Sequence, residues 1–458
     1  MRNNKYHSVA ILGSGESGMG AAFLAHSKRV NVFLSDSGAI DPDKKAMLLD
    51  KGIEFEENGH TIDHLLNFDE IIKSPGIPEK VPVVQALRAA DKPIISEIEF
   101  ASRYTKAKLV AITGSNGKTT TTLLTYHLLK SAGLNVGLAG NIGNSLAGLL
   151  LESDYDIIVL ELSSFQLDGM YDFKADTSVL LNITPDHLDR YNYDISQYAD
   201  SKLRIVQNQD DKNLFVFNLD DALVGEKISE KNIEAEQAGF SLEAGASGAV
   251  ARLERDQLVF DGFSIPKEDI PLIGRHNLYN TMAAVLIATR YGVSAANILA
   301  GLRTFQNAPH RLEYVATIDG VKFINDSKAT NVDSVYYALD GVDGQVVWIA
   351  GGVNKGNDYA PIKELVADKV KALICLGVDN KHLLDAFGGK IKSVLETQDI
   401  DQCVEEALGM AAQGDVVLLS PACASFDLFN NYEHRGDQFK EAVLDLKKNF
   451  KTEKTLVV

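Results

Sequence analysis

The sequence predicts an α/β fold built on parallel sheets, on three observations. Short, continuous, β-branched apolar runs recur, among them Val9–Leu12, Val30–Leu34, Leu109–Ile112, Ile157–Leu160, Val346–Ala350, Ala372–Leu376 and Val416–Leu419. They have the length and composition of strands buried on both faces. Helical patterns alternate with them over nearly the whole chain, as crossovers between parallel strands require. Two of the strands run straight into glycine-rich turns that open helices, the arrangement that presents backbone N–H groups to phosphate. A chain of 458 residues has room for about three domains. The expected division is a Rossmann-like domain over 1–97, a central P-loop ATPase-like domain with a parallel sheet over 98–307, and a second Rossmann-like domain over 308–458. The first boundary follows the short element Ile94-Ile-Ser-Glu-Ile-Glu-Phe; the second falls at Gln306-Asn-Ala-Pro309, after helical Ala295–Leu302. The polar, irregular segment Ala222–Asp269, with β-like Gln257–Phe260, reads as an antiparallel edge on the central sheet.

Composition narrows the function. The net charge of −18 argues against a general nucleic-acid binder, although local glycine loops and single lysines still serve a phosphate ligand. No stretch approaches the ~20 apolar residues of a membrane span. Met1–His7 leads directly towards the first strand and leaves no room for a signal peptide. Cys375, Cys403 and Cys423 form neither a metal pattern nor a disulfide framework, so a reducing cytoplasm is expected.

The first glycine turn is Gly13-Ser14-Gly15-Glu16-Ser17-Gly18, a G-x-G-x-x-G placed after a strand and before helical Met19–Lys28. Asp36 ends the next strand, close to the offset of a ribose-binding acid. Read literally, this is an NAD site. The same backbone geometry holds any diphosphate, including that of a nucleotide sugar. A second nucleotide loop downstream, and no second half-site or hydride chemistry, point away from NAD. Glu16 is awkward beside phosphates and is expected to face solvent.

The second turn carries more. Leu109–Ile112 runs into Thr113-Gly114-Ser115-Asn116-Gly117-Lys118-Thr119-Thr120, followed by helical Thr121–Lys130. Backbone N–H groups and a helix N-terminus would cradle the anion, Lys118 would neutralise it, and the Thr119 hydroxyl can reach Mg2+. The usual P-loop spacing would put the first glycine at 112, which is Ile. The shorter form points away from GTPases and towards ATP-dependent amide ligases.

Further along, Glu161 ends the strand Ile157–Leu160 where an acid can bind Mg2+. Asp186 and His187 follow the apolar run Leu180-Leu-Asn-Ile, and His187 between two acids favours a metal role. Lys202 falls on the helical stripe of Ile195, Tyr198, Ala199 and Val206. It is either a snorkelling lysine or a desolvated amine with a lowered pKa, able to take up CO2 as a carbamate.

Together these motifs resemble the Mur ligase family over essentially the whole chain. The resemblance includes residues 113–120, Glu161-Leu-Ser-Ser, Asp186-His187, Gly274-Arg-His-Asn277, His310-Arg-Leu-Glu313 and Asp326-Ser-Lys-Ala-Thr-Asn331. Ser74-Pro-Gly-Ile77, Gly351-Gly352…Lys355-Gly356 and Leu419-Ser-Pro-Ala-Cys-Ala-Ser425-Phe-Asp427 are similar to its D-glutamate-adding branch. The resemblance implies ATP and two Mg2+ ions, no NAD, and UDP-N-acetylmuramoyl-L-alanine and D-glutamate as substrates. No nucleic-acid partner and a monomer are expected. Lys118, His187 and Lys202 would be catalytic. Gly114, Ser115, Asn116, Gly117, Lys118, Thr119, Thr120, Asn277, Asn280, Arg311 and Asp326 would surround ATP. Thr119 and Glu161 would hold one Mg2+, His187 and carbamylated Lys202 the other. The loop 13–18 with Asp36, Ser37, Ser74 and Asn141 would hold the UDP substrate. Lys328, Thr330, Lys355, Ser425 and Tyr432 would take D-glutamate. The family often has an Arg shortly after the uracil-binding acid; here the run is Asp36-Ser37-Gly38. Plainer readings stand beside these: Asn277 and Asn280 as caps of helix Leu278–Arg290, Pro421-Ala-Cys as turn chemistry, and Arg311 as a surface ion pair. A folate polyglutamylating ligase, an NAD-dependent oxidoreductase and a non-catalytic ATP switch are the rival functions.

Overall fold

A computed structural model describes residues 8–243 and 245–456; the expectation made on the segment 1–7 falls outside the described residues. Three sheets carry the fold. The first has five parallel strands in the order Glu54–Glu56, Asn31–Ser35, Ser8–Leu12, Glu70–Lys73, Ile94–Ile95. The second has nine strands, with Lys108–Thr113 between Thr177–Leu180 and Ile157–Glu161. The third has six; Val416–Ala422 lies between Val321–Asn325 and Val346–Gly351, and only the edge strand Glu313–Ile318 is antiparallel to its neighbour. The residues group into two compact units, Met1–Ile270 with Tyr279–Phe305 and Pro271–Leu278 with Gln306–Val458. The first contains the first two sheets, the second the third sheet, and the division falls within helix Arg275–Arg290.

The apolar runs are continuous because each strand feeds two cores. In Ser8–Leu12, Val9 and Ile11 pack into one cluster, Ala10 and Leu12 into another. In Val346–Gly351, Val346, Trp348 and Ala350 face one cluster, Val347 and Ile349 the other. Side chains alternate at period two, so a strand covered on both faces must be apolar throughout. The three cysteines are free and buried.

The segment 222–269 departs from the sequence reading. It starts with helix Ala222–Ser229 and strand Glu236–Ser241, which extends the sheet in parallel. Ala249–Glu254 is parallel to it as well, across a bulge. Only Gln257–Phe260 and Phe263–Pro266 are antiparallel. Both glycine turns also pass into helix earlier than expected, at Glu16 and at Lys118.

The connection between the first two sheets is built from buried acids. Ser96 Oγ caps helix Glu97–Ser102 by accepting from Glu99 N at 3.2 Å. The Glu99 carboxylate accepts from the backbone N–H groups of Tyr171, Asp172 and Phe173. Glu97 accepts from Ala147 N at 2.5 Å, and its other oxygen is buried without a hydrogen-bond partner. Burial, opposed by the Ala147 N–H and reinforced by nearby Glu16, pushes Glu97 up to about 8.

Candidate functional site

At the first sheet's carboxyl edge the predicted turn 13–18, Asp36 and Ser74 converge, whereas Asn141 lies against Glu161 of the second sheet. Gly13 has φ of 94° and a Cβ there would sit 2.8 Å from Ser74 Oγ, while a Cβ on Gly18 would meet Gly13 O at 1.9 Å. Both positions need glycine for close approach. Asp36 clamps the turn: one carboxylate oxygen accepts from Ser14 N at 2.6 Å and Ser14 Oγ at 2.7 Å, the other from Gly38 N at 2.9 Å. Burial raises its pKa, but these hydrogen bonds outweigh it and the group ends below its ordinary value. Ser74 Oγ is buried with no partner, a hydroxyl placed for a ligand at the point where strand order reverses. Ser17 is half-buried, and Ser37 and Gly15 are exposed. Glu16 is exposed as expected, yet its carboxylate also accepts a long, 3.5 Å bond from Ser145 Oγ.

Sequence reasoning gave no role to two cations here. Lys44 donates to Ser14 O at 3.0 Å. Arg190 donates to the carbonyls of Pro75 and Gly76, 3.2 Å each, and stacks 4.4 Å from the centre of the Phe165 ring, which meets the His187 ring edge-on at 5.3 Å. Arg190 thereby ties the Ser74 loop to the segment carrying His187. It was visible in the Asp186–Arg190 run, but the carbonyls it binds lie more than a hundred residues away.

The second turn is fastened by the strand end beside it. Ser115 Oγ donates to Thr184 O, Asn116 N to Asn182 Oδ1, and Asn182 Nδ2 back to Asn116 O. Gly117 has φ of 85°, and a Cβ there would lie 2.3 Å from Asn280 Oδ1. Thr121 Oγ1 donates to the same Asn280 oxygen, so Asn280 seats the turn. Thr119 and Thr120 are buried at the start of helix Lys118–Ser131. Lys118 Nζ donates to the carbonyls of Gly114 and Ser115, at 2.7 and 2.8 Å.

Glu161 ends its strand 2% exposed. One of its oxygens accepts from Asn141 Nδ2 at 2.9 Å; the other is buried with no partner. An unpaired buried carboxylate oxygen beside a phosphate turn is a fit for a cation. His187 sits at φ 52°, half-exposed, 3.7 Å from the Asp186 carboxylate. Among the described residues no three His, Cys, Asp or Glu side chains group closely enough to hold a metal by themselves; the expected ligand set draws on Thr119 and Lys202 as well.

Lys202 does not snorkel. It is 1% exposed on helix Ile195–Leu203, its amine donates to Gly114 O at 2.8 Å, and it stands 4.4 Å from the centre of the Tyr198 ring. Burial first, and the Lys118 charge second, hold its pKa well below the ordinary lysine value, against the opposing pull of Asp186 and Asp168.

The third sheet has its own crevice. Asp326 accepts from Leu312 N and Ser420 Oγ, and burial pushes it up to about 7 against those bonds and the Arg311 charge. Burial and Arg311 push His276 down to about 4. Lys328 lies 5.0 Å from the centre of the Tyr432 ring. Ser425 is buried and Lys355 exposed on the loops after Val416–Ala422 and Val346–Gly351, and Thr330 follows Lys328 on a tight turn. Asn277 and Asn280 are not caps: both lie inside helix Arg275–Arg290, and Asn277 donates to Ile273 O at 2.6 Å. Pro421 belongs to the strand Val416–Ala422, with the turn beginning at Ala422, φ 60°.

Comparison with known proteins agrees with this architecture. Three family models match: MurD N-terminal domain over residues 8–83, Mur ligase middle domain over 112–288, and Mur ligase, glutamate ligase domain over 310–423. The chain is 49% identical over 442 residues to a UDP-N-acetylmuramoylalanine–D-glutamate ligase from Bacteroides fragilis, covering 96% of this chain and 99% of that one. A ligase of the same name from Porphyromonas gingivalis is 48% identical with the same coverage. Among solved structures, a pseudomurein peptide ligase type C from Methanothermus fervidus shares the fold, with a TM-score of 0.61 at 19% identity over 96% of this chain and all of that one.

Proposed function

The chain belongs to the Mur ligase family, and we propose that it uses ATP to join D-glutamate to UDP-N-acetylmuramoyl-L-alanine. One observation carries this reading: relatives bearing that ligase name align with 96% of the chain at 48–49% identity. The reading divides the chain at 97 and 307 into UDP-substrate, ATP and amino-acid domains. It makes the protein a cytoplasmic monomer that builds peptidoglycan precursor, and so serves cell-wall formation, shape and division. Among the described residues no helix is long and apolar enough to cross a membrane.

The reaction proceeds in two steps. The alanyl carboxylate attacks the γ-phosphorus of ATP, giving an acyl phosphate and ADP. The D-glutamate amine then attacks the acyl carbon, and the tetrahedral intermediate collapses to amide and inorganic phosphate. The turn 114–120, seated by Asn280, cradles the phosphates. Lys118 offsets charge on the phosphoryl group in flight. Thr119 and Glu161 would hold one Mg2+, and His187 with carbamylated Lys202 a second; bound there, the ions would draw charge off the transferring phosphoryl. The turn 13–18, Asp36, Ser37, Ser74 and Asn141 bind the nucleotide sugar. Lys328, Thr330, Lys355, Ser425 and Tyr432 receive the amino acid, whose two carboxylates need donors at two places.

The test is phosphate release with each pairing of UDP-N-acetylmuramoyl-L-alanine and D-glutamate, L-glutamate or L-lysine. Turnover with D-glutamate alone is expected. Equal rates with the L-amino acids, or a nicotinamide absorbance change in place of phosphate release, would overturn it.

A further inference from the structure

Arg435 lies near the start of helix Tyr432–Leu456 and is only 2% exposed. Its guanidinium donates five hydrogen bonds, none to a carboxylate. Nε reaches Ser327 Oγ at 3.0 Å, and Nη2 reaches Ser327 O at 2.9 Å and Cys423 O at 3.2 Å. Nη1 reaches Gly351 O and Cys423 O, at 3.3 Å each. The acceptors lie at the carboxyl ends of three strands, Val321–Asn325, Val346–Gly351 and Val416–Ala422, where the loops that follow them begin. Lys328 and Thr330 follow the first anchor, Lys355 the second, Ser425 the third. Ser327 Oγ in turn donates to Tyr432 O at 2.8 Å, closing the ring of contacts. At Gly352, where φ is 120°, a Cβ would lie 2.1 Å from Ala424 O and 3.3 Å from the guanidinium, so the second loop approaches the third as closely as backbone allows, directly beside Arg435.

We infer that Arg435 is the positioning residue of the amino-acid crevice: its guanidinium holds the three loops in register and sets a fixed positive charge beneath a site for a dicarboxylate. This rests on the D-glutamate reading. A planar fork is needed, since an ammonium offers three donors from one point and cannot span three loops. A buried cation whose hydrogen-bond acceptors are neutral carbonyl and hydroxyl dipoles retains its field, and an anionic substrate entering the crevice feels it.

The experiment compares the full-length wild type with R435K, R435Q and Ser327→Ala, measuring Michaelis constants for D-glutamate, ATP and the nucleotide sugar. R435K keeps the charge and loses the fork; its D-glutamate constant is expected to rise about 10- to 100-fold, with the other two within about twofold. R435Q also loses the charge and should rise further. Ser327→Ala removes one acceptor with little change in volume and should rise about 3- to 10-fold in the same constant. Should the Arg435 variants not fold, Ser327→Ala decides alone. Equal losses for all three substrates, or a fall in kcat with every Michaelis constant unchanged, would overturn the assignment. A wild type that makes no product from D-glutamate would instead sink the functional reading.

Discussion

Replacing Glu97 by Gln should flatten the pH dependence of stability. The carboxyl is fully buried, one oxygen has no partner, and its pKa stands at about 8 against an ordinary 4.5, chiefly through burial. Such a group holds its proton more tightly in the folded chain than in the unfolded one. Below about pH 4.5 it does not affect the pH dependence. Between there and pH 8 the unfolded chain alone releases the proton, and stability falls by about 1.4 kcal/mol per pH unit. Above pH 8 the whole penalty, about 5 kcal/mol, is present. Gln keeps the acceptor for Ala147 N and has nothing to ionise. Its unpaired amide costs about what the unpaired hydroxyl of protonated Glu97 does, so the two chains should match near pH 5 and diverge above it. By pH 9 the variant should melt on the order of 10 °C higher. The chain has one Trp, Trp348, in the second unit, so its fluorescence reports the wrong region. Circular dichroism melts, with hydrogen exchange over 94–102 and 146–152, report the right one. Parallel stability curves for the two proteins from pH 5 to 9 would refute the reasoning.

Three further outcomes are expected. Lys202→Ala removes the buried amine and should cut product formation by about 10- to 150-fold, the equivalent of one charge-assisted bond; added short carboxylates should restore part of it, and a fully active variant would rule out the carbamate. Asp36→Ala deletes three hydrogen bonds that clamp the first turn and should weaken nucleotide-sugar binding at least about tenfold by calorimetry; tight NAD binding without nucleotide-sugar binding would show the turn was misread. Gly117→Ala imposes a left-handed φ on a residue with a Cβ, about 1–2 kcal/mol, and drives that Cβ into Asn280; ATP affinity should drop by more than about tenfold with nucleotide-sugar affinity unchanged, and wild-type ATP binding would show that the turn tolerates a side chain.

What could be read from the sequence was local. The apolar runs are strands because cores on both faces claim alternate residues; only Asn31, exposed within Val30–Leu34, interrupts the pattern. Gly13, Gly18 and Gly117 stood out because each answers a close approach that no other residue permits. The helix starts were placed late, since Glu16 and Lys118 are loop residues by motif and helix residues by dihedral angle. The strand Glu236–Ser241 was missed because its burial is one-ended: Glu236 and Gln237 are exposed while Ala238 to Ser241 are buried. Glu97 and Arg435 gave no signal at all. Glu97 meets Ala147, and Arg435 meets residues 12, 84 and 108 positions away. No periodicity links such pairs; only the folded sheets bring them together.

The same long-range assembly explains the state of Lys202. Its amine and that of Lys118 donate to a single oxygen, Gly114 O, from 2.8 and 2.7 Å. Burial first, and the Lys118 charge second, disfavour the ammonium form of Lys202. A neutral amine is the form that reacts with CO2. Carbamate formation would release one proton and leave a negative charge, so that an anion rather than a second cation would face Lys118. On the proposed reading Lys118 would therefore both add to the burial that lowers the Lys202 pKa and face the carbamate formed there. On this argument Lys118→Met should raise the pKa of Lys202 and lower carbamate occupancy, read as a loss of the 44 Da adduct by native mass spectrometry. Retention of a full adduct in that variant would separate the two lysines.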